Sequence, residues 1–283
     1  MSVAVVLPAR LASTRLPGKL LLDRTGRTVL EHTIGHALKA RDMSGGLITT
    51  VLTACDDPQL IKVSQRAGSA AMMTRLDHKS GTDRVAEACA TLSEEVIVNL
   101  QADEPEINPA LIIQVATLLT GSASHAPMAT LAVPIFDEAT WRKPNVVKVV
   151  LDAQCRALYF SRAPVPFVRE ESEAAGVWRF GERRVFGLQH LGLYAYRRAF
   201  LLDYAKLPPS RLEQLEKLEQ LRALENGHAL LVGIAQEHPP GIDTPEEYEA
   251  FCNRMALKLG SAEKTQTDYQ SDWLDRGATF YGH

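Results

Sequence analysis

Arg10, Arg15 and Lys19 place three cations within ten residues of a segment reading Leu7-Pro-Ala-Arg-Leu-Ala-Ser-Thr-Arg-Leu-Pro-Gly-Lys19, directly behind the apolar run Val3–Leu7. An apolar strand, a basic loop and then a helix is how α/β folds hold phosphates. Ala12, Ser13 and Gly18 are small enough to let a polyphosphate approach the backbone. The loop contains neither G-x-x-x-x-G-K-[ST] nor G-x-G-x-x-G, so it is neither a Walker loop nor a dinucleotide turn. On spacing alone it could also be a solvated basic loop. Two carboxylates complement it. Asp103 follows the apolar run Val96–Leu100, where ligands of open α/β sheets bind, and Asp243 stands in Gly-Ile-Asp-Thr-Pro-Glu. Together they could hold Mg²⁺, which takes one or two protein carboxylates plus phosphate oxygens. Taken singly, Asp103 could equally cap a helix, and Asp243 reads first as an N-cap. Arg75, Ser80 and Gln101 add a mix of hydrogen-bond donors and acceptors near the same strand ends.

These residues need a scaffold, and the first half of the chain supplies a regular one. Strands are expected at Val3–Leu7, Leu47–Leu52, Ala70–Met73 and Val96–Leu100, alternating with helices near Val29–Lys39, Pro58–Ala67, Arg84–Leu92 and Pro109–Leu119. That rhythm implies a mostly parallel sheet covered on both faces. The pattern then changes to strand-like segments at Ala129–Ile135, Val146–Leu151, Ala157–Phe160 and Leu191–Tyr196, with a mobile loop expected at 163–186. A helix over 211–226 and a strand over 229–236 follow. In that helix Leu212, Leu215 and Leu218 form an apolar arc into which Glu219 and Arg222 also fall. An inward ion pair is costly without partners, so either Glu219 and Arg222 satisfy each other or Glu219 reaches a polar ligand. Gln220 projects about 100° away. His190 and Tyr194, four apart in a strand, share a face.

The chain has 283 residues, 46% apolar content and a net charge of −3, enough for a sizeable core and too little positive charge for a general nucleic-acid surface. Its four cysteines form no C-x-x-C, which argues against a zinc site or disulfide framework and fits a reducing cytoplasm. The first apolar run is too short for a signal peptide and no run reaches the ~18 residues of a membrane helix. From residue 260 onward the chain is polar, although Trp273, Phe280 and Tyr281 could anchor it to the body or to a second subunit.

The block Pro8-Ala-Arg-x-x-Ser-Thr-Arg-Leu-Pro-Gly-Lys19 resembles the N-terminal signature of the 3-deoxy-manno-octulosonate (Kdo) cytidylyltransferases, the CMP-Kdo synthetases. The likeness continues, in order, at Thr74-Arg75 with Ser80-Gly81-Thr-Asp-Arg84, Gln101-Ala-Asp103-Glu-Pro, Asn145-Val-Val-Lys148, Tyr159-Phe-Ser-Arg162, His190-Leu-Gly-Leu-Tyr194, Leu218-Glu219-Gln220 and Gly241-Ile-Asp243. The resemblance implies an α/β, Rossmann-like nucleotidyltransferase fold with a mostly parallel central sheet plus a smaller strand-rich sugar-binding and dimerisation section. It implies one domain over 1–259, with 1–127 and 229–259 as nucleotide-binding core and 128–228 as the sugar and dimer section, followed by a polar extension at 260–283. The implied catalytic residues are Arg10, Arg15, Lys19, Asp103 and Asp243, the two aspartates being the Mg²⁺ ligands. Ser13, Thr74, Arg75, Ser80, Gly81 and Gln101 would bind nucleotide. Arg162, His190, Tyr194, Glu219 and Gln220 would bind the acidic sugar. The expected reaction is CMP transfer from CTP to Kdo for lipopolysaccharide synthesis, in a cytoplasmic homodimer without nucleic-acid or membrane partners. The alternatives are a cytidylyltransferase for amino-Kdo or sialic acid, or a non-catalytic nucleotide-binding module. The chain departs from the family pattern at Ala102, where glycine is usual, and at Gln189, where arginine is common; a slight backbone shift is expected at Ala102.

Overall fold

The computed structural model describes residues 1–121, 125–169, 179–180, 182–237 and 240–258. Four strands make the first half of the sheet: β1 Val3–Ala9, β2 Ile48–Cys55, β3 Ala70–Met73 and β4 Val96–Asn99. They alternate with α1 Val29–Met43, α2 Pro58–Arg66, α3 Gly81–Cys89 and α4 Pro109–Thr120. The helix starts are written into the local sequence. Thr28 with Glu31 and Ser80 with Asp83 form reciprocal capping boxes, while Asp57 and Asn108 cap helices that begin on proline. The third helix begins at Gly81, three residues ahead of the expected start, because Ser80 takes the cap.

The strand-rich part comprises β5 Met128–Ile135, α5 Glu138–Arg142, β6 Lys148–Leu151, β7 Ala157–Ser161, the short pair β8 Arg179–Phe180 and β9 Arg183–Arg184, β10 Gly187–Arg197 and α6 Arg198–Tyr204. Then come α7 Arg211–Glu216, α8 Leu221–Glu225, β11 Leu230–Ile234 and a helix over 245–258, here α9. The main sheet runs β11-β5-β10-β4-β1-β2-β3, with β6 paired to β10 and β7 to β6. Neighbours among β1 to β4 are parallel, as is the β5–β11 pair; β10 is antiparallel to β4, β5 and β6. β5 and β10 therefore belong to the central sheet, and the strand-rich section is continuous with the first half of the chain.

Strand alternation divides the core. Val3, Val5, Leu7 and Val98 face α1, α2, α4 and α9, whereas Ala4, Val6 and Ile97 face α3, Tyr196, Phe160 and the segment Leu218–Ala223. Val149 and Phe160 are buried in that second cluster, so one face of β6–β7 is covered by its own chain, while Leu158 on the other face is exposed.

The expected continuous helix over 211–226 is broken. Lys217 adopts φ 54°, ψ 46° and ends α7, and α8 restarts at Leu221. The helical projection of Glu219 and Arg222 therefore fails. Leu215 is exposed, Arg222 pairs with Glu213 (Nε–Oε2 2.8 Å), and Glu219 hydrogen-bonds Thr82. Residues 170–178 and 181 of the expected mobile loop, and the tail bearing Trp273, Phe280 and Tyr281, lie outside the described residues.

Candidate active site

The site lies along the carboxyl ends of β1, β2 and β4. Gly18 takes the left-handed conformation (φ +65°) and starts a one-turn 3₁₀ helix, Lys19–Leu21, which turns Lys19 back under the loop. The Lys19 ammonium donates to Asp103, to Asp243 Oδ1 (2.9 Å) and to the carbonyl of Ile242 (2.9 Å). Arg15 reaches the other oxygen of Asp243 at 2.9 Å. Ile242 N–H in turn donates to the carbonyl of Asp103 (2.9 Å), so the segment before α9 is laced to the turn after β4. Burial works against the Lys19 charge, but Asp103 and then Asp243 outweigh it and its pKa is raised. Two carboxylates gathered around one cation, with only oxygen donors, suit a hard divalent cation that also binds phosphate oxygens. Asp243 is not the helix cap: Thr244 caps α9 by accepting from Glu247 N–H (3.3 Å), and the Glu247 carboxylate accepts from the Asp243 and Thr244 amides.

The basic loop is anchored from beneath. Asp56, after β2, accepts from Leu11 N–H (2.9 Å) and from the fully buried Arg84 (3.2 Å), and Arg84 also donates to Thr74. Arg10 donates to the carbonyl of His78 at 2.9 Å. Thr74 is buried, its hydroxyl donating to Cys55 O, and Ser80 uses its oxygen as the α3 cap. Both are structural in this arrangement, whereas Arg75 is exposed beside Asp77 and Glu87. A Cβ at Gly81 would sit in ordinary contact with Pro8 and the Gln101 side chain, which places Gln101 against the start of α3. Ser13 is half-buried on the loop. Ala102 has no positive φ and buries its methyl in the core, and its carbonyl accepts from Thr33 (3.0 Å), so the departure from glycine is accommodated.

Sequence reasoning missed Glu104. Burial in the crevice and the adjacent Asp103 charge push its carboxyl up to about 8. It missed Asp56 and Arg84 as well. Their signal was faint: an aspartate at a strand end and an arginine on the apolar face of a helix.

A second cluster lies where β10 leaves β4. The register of β10 on β5 skips two residues between Leu191 and Tyr194, which preserves strand parity. His190 and Tyr194 therefore share a face, with rings 5.3 Å apart. His190 Nε2 lies 3.0 Å from the Thr130 hydroxyl. Glu219 is raised above the usual carboxylate range by burial, against the opposing effect of its Thr82 hydrogen bond. Gln220 is buried beside it. The Arg162 guanidinium donates to three backbone carbonyls, Glu216 (2.6 Å), Pro144 (3.1 Å) and Lys217 (3.4 Å). It holds the left-handed turn from which Glu219 and Gln220 project. Buried Lys148 donates to the carbonyls of Lys143, Val146 and Arg162 (3.0, 2.7 and 2.6 Å) and fixes the same corner.

A strand-bound basic loop facing two carboxylates defines a nucleotidyltransferase centre. A family model described as cytidylyltransferase matches residues 4–232. A 3-deoxy-manno-octulosonate cytidylyltransferase of Syntrophobacter fumaroxidans is 43% identical over 90% of this chain and 98% of its own length. The protein of the same description from Geobacter sulfurreducens is 41% identical over 90% of this chain and 100% of its own. Among solved structures, a CMP:2-keto-3-deoxy-manno-octonic acid synthetase complexed with CTP superposes with TM-score 0.79 at 39% identity, covering 91% of this chain and 100% of that one. A Leptospira borgpetersenii cytidylyltransferase at 14% identity and TM-score 0.57 shares the fold. The chain belongs to the 3-deoxy-manno-octulosonate cytidylyltransferase family, and it is a nucleotidyltransferase enzyme.

Proposed function

We propose that the protein transfers CMP from CTP to the anomeric hydroxyl of Kdo, using Arg10, Arg15 and Lys19 on the phosphates and Asp103 with Asp243 on Mg²⁺. The hydroxyl oxygen gives up its proton to solvent and forms a bond to the α-phosphorus, the bond to the bridging oxygen breaks, and pyrophosphate leaves with that electron pair. The observation that carries this reading is the meeting of Asp103 and Asp243, 140 residues apart in sequence, on the single ammonium of Lys19. When bound, Mg²⁺ would supply neutralisation and polarisation of phosphate oxygens. The protein's own work is positioning and charge compensation. Asp56 holds the phosphate loop by the Leu11 amide, and Gly18 turns Lys19 toward the carboxylates. Arg75, Gln101, Ser13 and the Thr74–Gly81 segment border the nucleotide, with Thr74 and Ser80 acting through backbone geometry.

His190, Tyr194, Glu219 and Gln220 form the acceptor side, and Arg162 supports it by holding the carbonyls of the turn. Pyrophosphate release from CTP with a panel of 2-keto sugar acids, with Mg²⁺ varied, tests the reading. Kdo turnover that depends on Mg²⁺ is expected; turnover of amino-Kdo or sialic acid alone would replace the acceptor assignment. We further propose a homodimer acting in the cytoplasm on the route to lipopolysaccharide. Exposed Leu158, Phe167 and Val168 support the contact and would be its apolar part. A sedimentation coefficient of a monomer at micromolar concentration would remove the dimer.

A further inference from the structure

Buried polar atoms are almost always hydrogen-bonded, so those that are not point to a missing partner. Among the described residues, three such atoms converge on one face of the sheet: Asn99 Nδ2, Gln220 Nε2 and Glu219 Oε1. Asn99 is the last residue of β4 and is only 1% exposed; Gln220 is 4% exposed. The register brings them together. Asn99 lies directly opposite Tyr194 in the antiparallel β4–β10 pair, and directly opposite residues share a face. Its parallel partner Val6 and its i−2 neighbour Ile97 pack into the same cluster as Leu218 and Leu221, which flank Glu219 and Gln220. Thr82 on α3 closes the ring, hydrogen-bonding both Glu219 and Tyr196. The Asn99 carbonyl oxygen is turned toward Gln101 Nε2 at 3.5 Å, leaving its amide nitrogen directed away from the nucleotide side.

We propose that Asn99 is a specificity-determining residue of the acceptor pocket, its Nδ2 donating to an oxygen of the polyhydroxylated acid. This rests on the acceptor reading given above. Two unpartnered donors and one unpartnered acceptor, all buried, match a ligand that carries both hydroxyls and a carboxylate. An apolar or purely cationic ligand would leave them unpaired. Asn99 also links the two half-sites, because one end of its amide faces the nucleotide-side Gln101 and the other faces the sugar side.

The test is steady-state kinetics of Asn99→Leu, similar in shape without the donor, alongside thermal unfolding. A lost hydrogen bond that leaves a substrate oxygen buried and unpaired costs roughly ten- to a hundredfold in affinity. The expected result is a rise of that size in KM for Kdo, a distinctly smaller change in KM for CTP because only the weak 3.5 Å contact from Gln101 Nε2 to Oδ1 is lost on that side, and a melting temperature little changed. An unchanged KM for Kdo, or equal rises for both substrates, overturns the proposal. If Asn99→Leu does not fold, Asn99→Ser is read by the same three criteria. Wild-type enzyme that ignores Kdo but turns over another 2-keto sugar acid would overturn the Kdo assignment alone, and the Asn99 comparison is then decided with that acid. Wild-type enzyme that accepts none overturns both.

Discussion

Replacing Lys19 by alanine removes one ammonium and leaves two carboxylates and a backbone carbonyl facing one another. The lysine side chain is 12% exposed, Asp103 28% and Asp243 44%. A charge-assisted hydrogen bond in such surroundings is worth about 1.5–3 kcal/mol, less at the half-exposed Asp243 where water screens it. In the metal-free protein the loss should be about 2–3 kcal/mol, which for a domain of this size lowers the melting temperature by roughly 5–10 °C. Mg²⁺ should restore more stability to Lys19→Ala than to the wild type, because the cation then meets the carboxylates without competition from the ammonium. In catalysis the loss of a phosphate-facing cation should reduce kcat/KM for CTP roughly ten- to a hundredfold. Differential scanning fluorimetry with and without Mg²⁺, and pyrophosphate release over a CTP titration, read both effects. Unchanged melting and unchanged kinetics would refute the reasoning and reduce the loop to a solvated basic segment.

Asp103→Asn should fold normally and nearly abolish turnover; a near-normal rate at saturating Mg²⁺ would remove Asp103 from the metal. Arg84→Met should destabilise by about 3–5 kcal/mol, because it leaves Asp56 as an unpaired buried charge. The CTP KM of the folded fraction should rise as the Leu11 anchor loosens; an unfolding midpoint within 1 kcal/mol of wild type contradicts that role. Stability should fall with acid in two stages at the start of α1. Burial lowers His32 to about 4, so its unfolded state binds the extra proton and stability declines as pH drops from 6.5 toward 4. Glu31 has its pKa lowered to about 2: burial opposes its charge, and hydrogen bonds from Arg66 and Thr28 outweigh it. Its contribution is therefore present above 4.5 and lost as pH falls toward 2. Urea midpoints across pH 2–7 for wild type and His32→Gln check this: the variant should show a shallower slope between pH 6.5 and 4, the remainder coming from His36, which burial also lowers.

The strands and the basic loop were legible because their signals are local: a buried parallel strand is an apolar run, as at Val3–Leu7. The caps at Thr28 and Ser80 are equally local, each a side chain three residues from the amide it satisfies, yet they were passed over, and α3 starts three residues ahead of the expected Arg84. The loop and its two aspartates were found the same way, by a strand end and by residue type, and the resemblance identified them as a site. The break at Lys217 was not legible. A left-handed lysine without a flanking glycine or proline carries no local mark, and it is held by carbonyl contacts from Arg162, 55 residues away. Arg162 itself was expected to face a carboxylate, and its chemistry fits that equally well in sequence. Which oxygens its guanidinium meets depends on where α7 ends. The pairing of Lys19 with Asp103 and Asp243, and the orphaned amide of Asn99, likewise exist only after distant segments close on one sheet edge. Sequence by itself determined the alternating strands and helices of the first half, the charge of the loop and the membership of the family, because these rest on short-range periodicity and residue type. Tertiary structure alone decided which charges neutralise one another and which polar atoms are left for a ligand, because burial and partner geometry are properties of the folded chain.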